Sequence, residues 1–312
     1  MQKEGKDPIV LDAGDLFFSE LEINDSNRVS EQFRADAILK GYKKIGCDAI
    51  NVGHYELSSG LEFLLESSKK STIPFLSANL RHADSYKLIF DPYILIRKKG
   101  LTIGVVGLTN LVPDTLKSVV MEDYISSGRR VIKRIKKRVD VIVLLVNSER
   151  ESYSRLPQKF PGADLIYTSG SSVMTRPMMK QEEEGPYLFS SGREGRYLNV
   201  TELVIVDKEK PIINVSYVQG KMDFTRRKLD RLRDKDSDSG KTLEELYSEQ
   251  KSILNIISQG RSSISRATTV LESAVNKLYF NNVAMDKSIK DDADMVAFVD
   301  QSLAACNRLI TK

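Results

Sequence analysis

The stretch that most constrains this chain is Cys47-Asp48-Ala49-Ile50-Asn51-Val52-Gly53-His54-Tyr55-Glu56-Leu57. Residues 49–52 form a short, largely apolar run bounded by turn formers, which predicts a buried strand. Gly53 ends the run, and polar residues crowd the turn. From Gly60 an amphipathic segment sets Leu61, Leu64 and Leu65 on one face, predicting a helix. Such a strand–turn–helix holds its polar groups beyond the strand's carboxyl end, where open α/β sheets bind ligands.

The rest of the chain extends this pattern. Residues 8–15 read as a strand entering a glycine turn, with Asp15 placed either to face a ligand or to cap the turn. Residues 29–45 set Phe33, Ala37, Ile38 and Ile45 at helical spacing, with Gly46 at C′. Strands are predicted over 73–80, 93–97, 101–108 and 163–167, and a helix over 124–137. Residues 140–146 are almost continuously apolar, as in a parallel strand covered on both faces. Alternating strands and helices define an α/β protein. Residues 200–206 and 212–218 are expected to form a β-hairpin closed around 208–210.

Composition narrows the function classes. The 312 residues are 41% hydrophobic and 29% charged, as in an ordinary globular protein. With 47 basic and 43 acidic side chains the net charge is +4, which calls for no obligatory acidic partner; no nucleic acid is expected. No stretch reaches the ~18 apolar residues of a membrane span. The first residues carry no apolar export signal. Cys47 and Cys306 are the only cysteines; they exclude a disulfide framework and read as buried reduced thiols. There is no P-loop, dinucleotide fingerprint, Cys-x-x-Cys or nucleophile elbow.

The turn after Val52 resembles a specific family. Metallophosphoesterases of the 5′-nucleotidase type carry Gly-Asn-His-Glu there, and this chain has Gly53-His54-Tyr55-Glu56. Leu11-Asp12-Ala13-Gly14-Asp15-Leu16-Phe17 is similar to the family's second metal motif, whose aspartate bridges two metal ions. Ser77-Ala78-Asn79-Leu80, Gly107-Leu108-Thr109-Asn110 and Gly192-Arg193-Glu194-Gly195-Arg196 match further family strings. The likeness covers roughly residues 9–218. It implies a metallophosphoesterase-like four-layer α/β/β/α sandwich over residues 1–222, with a C-terminal helical extension over 223–312. The family's first strand, bearing Asp-x-His, has no counterpart here and is expected to be missing or upstream. Family precedent for location is the periplasm or cell envelope, which the absent export signal leaves open.

Family chemistry requires two cations about 3.5–4 Å apart, each held by several oxygen or imidazole ligands. His54 and His82 are the only histidines. Of the family set, Asp15 alone keeps its place. His54 stands at the Asn position and could ligate through a ring nitrogen. Tyr55 replaces the His that contacts the leaving phosphate; with a reference pKa of about 10 it is a poor proton donor near neutrality. Later family histidines are replaced by Asn147-Ser148-Glu149 and by residues 168–173.

Asp15, His54 and Glu56 could hold one divalent cation (Mn, Zn, Mg or Ca), with 147–149 adding oxygens. Equally, Glu56 could cap the following helix and His54 be a hydrogen-bonded structural residue. Asn79, Asn110, Asn147, Arg193 and Arg196 are expected to face the same cleft, the arginines able to hold an anionic small molecule. The favoured reading is a degenerate member serving as a binding or scaffold module. Its rival is a divergent hydrolase with a reduced or single-metal site.

Residues 226–241 are rich in Arg, Lys, Asp and Ser, as in a linker or solvated helix. Over 243–278, apolar residues recur in steps of three and four, a heptad seam. Gln250 and Gly260 weaken it, and Ser258-Gln259-Gly260 could break one long rod into a hairpin of two helices. The seam could serve a homodimer or protein partner, or pack back on the chain. A short strand is expected over 278–285. The terminal helix over 292–310 is expected to set Met295, Val299, Leu303, Cys306 and Ile310 on one face.

Overall fold

The computed structural model describes residues 7–18, 21–182, 185–233 and 240–309. They fall into two compact units, one within Met1–Met174, Pro186–Leu198 and Ala284–Lys312, the other within Thr175–Gly185 and Asn199–Val283.

The first unit begins with β1 (Leu11–Asp12), α1 (Arg28–Ile45), β2 (Ala49–Asn51), a 3₁₀ turn (Tyr55–Leu57), α2 (Leu61–Lys70) and β3 (Phe75–Leu76). The three strands form a parallel sheet in the order β1-β2-β3. Ala35 and Leu39 of α1 and Leu61 and Leu64 of α2 share a core with Ile50, Val52 and Phe75. Gly46 closes α1 in a left-handed conformation, as its position predicted.

Next come β4 (Leu80–His82), β5 (Tyr93–Lys98), β6 (Leu101–Thr109), β7 (Val119–Met121), α3 (Tyr124–Ile135), a 3₁₀ turn (Lys136–Arg138), β8 (Val141–Asn147), α4 (Leu156–Lys159), β9 (Leu165–Ser169) and β10 (Tyr187–Ser190). A five-stranded sheet runs β10-β9-β8-β6-β5, parallel except at β5, and β4 pairs with β7. Every residue of β8 is buried, which its unbroken apolar run requires. Asp123 caps α3 by accepting the Ser126 N–H at 2.8 Å. Val131, Ile132 and Ile135 of α3 pack with Val106, Leu108 and Leu144. The two sheets touch where the Asn51 amide donates to the Leu108 carbonyl at 3.0 Å.

The second unit contains β11 (Tyr197–Val204, from Asn199), β12 (Ile212–Asn214), α5 (Val215–Arg233), α6 (Leu243–Leu246), α7 (Lys251–Ser273) and β13 (Asn276–Ala284, to Val283). The expected hairpin over 200–218 does not form, because β13 lies between β11 and β12. Asn276 explains the insertion. Its amide donates to the Asp207 and Lys210 carbonyls, and its oxygen accepts the Val206 and Asp207 N–H groups. Asn214 accepts the Tyr217 N–H at 3.0 Å, so the chain turns helical where strand was expected.

The heptad region is interrupted at 247–250, not at Gly260, which lies within α7. A Cβ on Gly260 would lie 3.2 Å from Leu229, so glycine permits the approach of α5. Leu243 and Ile257 are buried against Leu229, with the seam turned inward. Residues 234–239, within the expected linker, lie outside the described residues.

The last helix, α8 (Ala293–Leu309), belongs to the first unit. Its inward face keeps Met295 and Cys306 of the expected stripe but uses Phe298 in place of Val299 and Leu303. Phe298 and Met295 approach Gly41 of α1, Lys44 lies over the Phe298 ring, and Ser30 donates to the Cys306 carbonyl. Val299 and Leu303 are exposed; Ile310 lies outside the described residues. Both cysteines are buried and unbridged.

Candidate functional site

Five strand ends converge in the first unit. Thr109 of β6 stands opposite Asn147 of β8, and Asn147 opposite Ser169 of β9. This register aligns three polar side chains at the carboxyl edge of the sheet. The turns after β1 and β2 complete the cluster with Asp15, His54, Tyr55 and Glu56.

Asn147 is its centre. The side-chain oxygen accepts the His54 N–H at 3.0 Å and, at 3.1 Å, the Thr109 hydroxyl proton, which it shares with the Leu111 carbonyl. Its nitrogen donates to Asp15 Oδ2 at 2.7 Å and to Ser169 Oγ at 2.8 Å. All four hydrogen-bonding positions of the carboxamide are thus used, and the His54 backbone donor dictates which end is oxygen. Ser169 donates onward to the Ala13 carbonyl at 2.7 Å, which also receives the Asn51 amide at 2.9 Å.

Asp15 has the left-handed φ of 65°, a conformation that Asp tolerates better than most residues. Its Oδ1 accepts the Tyr55 N–H at 3.1 Å. Glu56 is fully buried, and its oxygens accept four backbone N–H groups: Asp15 and Gly53 on one oxygen, Leu16 and Phe17 on the other. The side chain therefore fastens the β1 turn to the β2 turn. The turns also touch directly, since a Cβ on Gly53 would lie 2.7 Å from Asp15 Oδ1.

Burial raises the pKa of Asp15, opposed by its hydrogen bonds from Tyr55 and Asn147. Burial and then the Asp15 charge push Glu56 up to about 8, against its backbone donors. Behind the cluster, Asp12 accepts the Tyr42 hydroxyl at 2.8 Å, and burial raises both groups.

The His54 ring packs edge-on to the Tyr55 ring with centroids 6.2 Å apart. Among the described residues the imidazole makes no hydrogen bond. Asn79 is buried behind the cluster, donating to the Thr109 and Glu122 carbonyls and accepting the Thr109 N–H. The Asn110 side chain turns to Glu149. Arg193 and Arg196 pair with Glu194 on an exposed loop; among the described residues no hydrogen bond or ion pair joins either to Asp15, His54 or Glu56. His82 lies on β4, outside the cluster. Sequence reasoning missed Thr109 and Ser169 as members, and Asn51 as the strut beneath them. The signal was a polar residue ending each apolar strand.

No family model matches the chain. Over 144 residues it is 29% identical to a Vibrio cholerae 5′-nucleotidase, an alignment covering 44% of this chain and 25% of that protein. Over 117 residues it is 34% identical to a Vibrio parahaemolyticus 5′-nucleotidase, covering 38% and 19%. The chain thus spans a quarter or less of these curated relatives. In fold it is similar to the crystal structure of calcineurin-like phosphoesterase YfkN from Bacillus subtilis, with a TM-score of 0.61 at 15% identity over 97% of this chain and 85% of that one. The chain is similar over part of its length to 5′-nucleotidases, and in fold to calcineurin-like phosphoesterases.

The family resemblance implies a two-metal site at these turns, with Asp15 as its bridging aspartate. The residues present do not fit a cation pair. Both Asp15 oxygens and both Glu56 oxygens accept N–H groups, and the Asn147 oxygen accepts two donors. Among the described residues no group of three or more His, Cys, Asp or Glu could hold a metal ion. Also among them, no helix is long and apolar enough to cross a membrane.

Proposed function

We propose that this chain is a degenerate member of its phosphoesterase family, a binding or scaffold module whose strand-end cluster is a structural joint. The supporting observation is the Asn147 carboxamide, which links Asp15, His54, Thr109 and Ser169 with every donor and acceptor in use. A cation would have to displace these donors from Asp15 at the cost of buried unpaired groups, about 1–3 kcal/mol each. The test is metal content and turnover of a generic phosphoester in protein purified without chelator. Substoichiometric metal and no turnover are expected. Two equivalents of Mn or Zn, with hydrolysis abolished by Asp15→Ala, would establish the rival hydrolase instead.

The uncommitted imidazole of His54 beside Asp15 favours a second reading, a reduced site holding one divalent cation and an anionic small molecule. One equivalent of metal lost on His54→Ala would support it. Self-association through residues 243–278 is disfavoured, since Leu243 and Ile257 are buried against Leu229. A monomeric mass in solution is expected; a dimer dissociated by substitutions on the outer face of α7 would reverse this.

A further inference from the structure

Seven of the ten residues from Arg129 to Arg138 are Lys or Arg, and none is acidic, in a chain whose net charge is only +4. All seven are exposed. They line the outer face of α3 and its 3₁₀ extension, while Val131, Ile132 and Ile135 on the inner face are buried in the core. Three are tied down: Arg129 to the Lys159 carbonyl, Arg130 to Glu122, and Arg134 over the Tyr93 ring. Lys133, Lys137 and Arg138 have no ion-pair partner among the described residues, while the Lys136 charge acts on Asp164. Nearby acids face inward: Asp140 accepts the Thr102 N–H and Asp164 the Ile142 N–H, each at 2.7 Å. The hairpin turn bearing exposed Lys99 is joined to this end of the unit through that Thr102–Asp140 link. The positive face lies toward the amino ends of β6 and β8, away from the Asn147 cluster at their carboxyl ends.

We propose that this face docks the first unit peripherally on an anionic lipid surface. Clusters of four to eight Lys or Arg on a helix are a signature of such binding; with the apolar face of α3 buried in the core, the attraction here is electrostatic alone. The chemistry of the face favours lipid over other polyanions. From Arg129 to Arg138 the exposed positions carry no aromatic ring to stack on a base and no Asn or Gln to read one. They also carry no large apolar anchor of the kind that centres a protein interface. What remains is a row of cations on a helix lying flat against its sheet, suited to a laterally extended negative surface.

The experiment is co-sedimentation of the full chain with vesicles of phosphatidylcholine alone, or of equal parts phosphatidylcholine and phosphatidylglycerol. Binding is expected only to the mixed vesicles, weakening steeply with salt. The triple variant Lys133→Gln, Lys137→Gln, Arg138→Gln should lose affinity by about fivefold per cation, on the order of a hundredfold in all. Its melting temperature should not change, because all three side chains are exposed. The matched control Lys69→Gln, Lys70→Gln, Lys87→Gln removes equal charge elsewhere in the unit and should bind like wild type. The proposal is overturned by no binding to the mixed vesicles, by equal loss in both triples, or by stronger binding to duplex oligonucleotide or polyglutamate.

Discussion

Glu56 accepts four backbone N–H groups from two turns, so its carboxyl group acts as a fastener. Its titration gives a direct test. An unfolded Glu titrates near 4.5, whereas burial and the Asp15 charge raise the folded value to about 8. The folded state therefore holds this proton more tightly, and the contribution is greatest below pH 4.5 and lost as pH rises toward 8. Denaturant midpoints should fall across this window in the wild type, and Glu56→Gln should flatten that fall. Asn147→Ala leaves the half-buried Asp15 carboxylate and the His54 backbone N–H short of partners. It should cost about 2–4 kcal/mol by chemical denaturation. Gly53→Ala would drive a methyl group to 2.7 Å from Asp15; a loss of about 1–3 kcal/mol is expected from the same measurement.

Among the elements, α5 and α7 show a heptad pattern satisfied within one chain. Gly260 is the contact that allows it, with Leu229 3.2–3.4 Å from where a Cβ would stand. Gly260→Val should destabilise the protein by about 1–3 kcal/mol through overpacking. Leu229→Ala should recover part of that loss, giving a favourable coupling in a double-mutant cycle. Independent sites would give simple additivity, and additivity would refute the contact. The same logic places β13: the Asn276 side chain binds the 206–210 turn on both its donor and acceptor groups, which no adjacent-strand hairpin needs.

For the whole molecule, the chain's last helix completes the unit that its first strands begin. Deleting Ala293–Leu309 would uncover α1 around Ser30, Gly41 and Lys44. It should lower the melting temperature by roughly 5–10 °C in thermal unfolding. Chelator should leave that temperature unchanged, because the five strand ends are joined by hydrogen bonds. A fall on adding chelator would mean that a bound metal holds them.

Local pattern alone was enough for much of this architecture. The apolar runs at 49–52 and 140–146, the helical spacing before Gly46 and the glycine turn at Gly53 each encode their element within a few residues, because hydrophobic periodicity is a local property. The family likeness was legible for the same reason: its strings lie on single turns. Side-chain commitments were not legible. That Asn147 meets Thr109 and Ser169 depends on the register of three strands, and that Glu56 gathers four donors depends on two turns 40 residues apart meeting at paired glycines. The inward seam at Leu229 and the choice of Phe298 over Val299 likewise rest on which surface lies opposite. Periodicity identifies a face, but only tertiary packing supplies its neighbour.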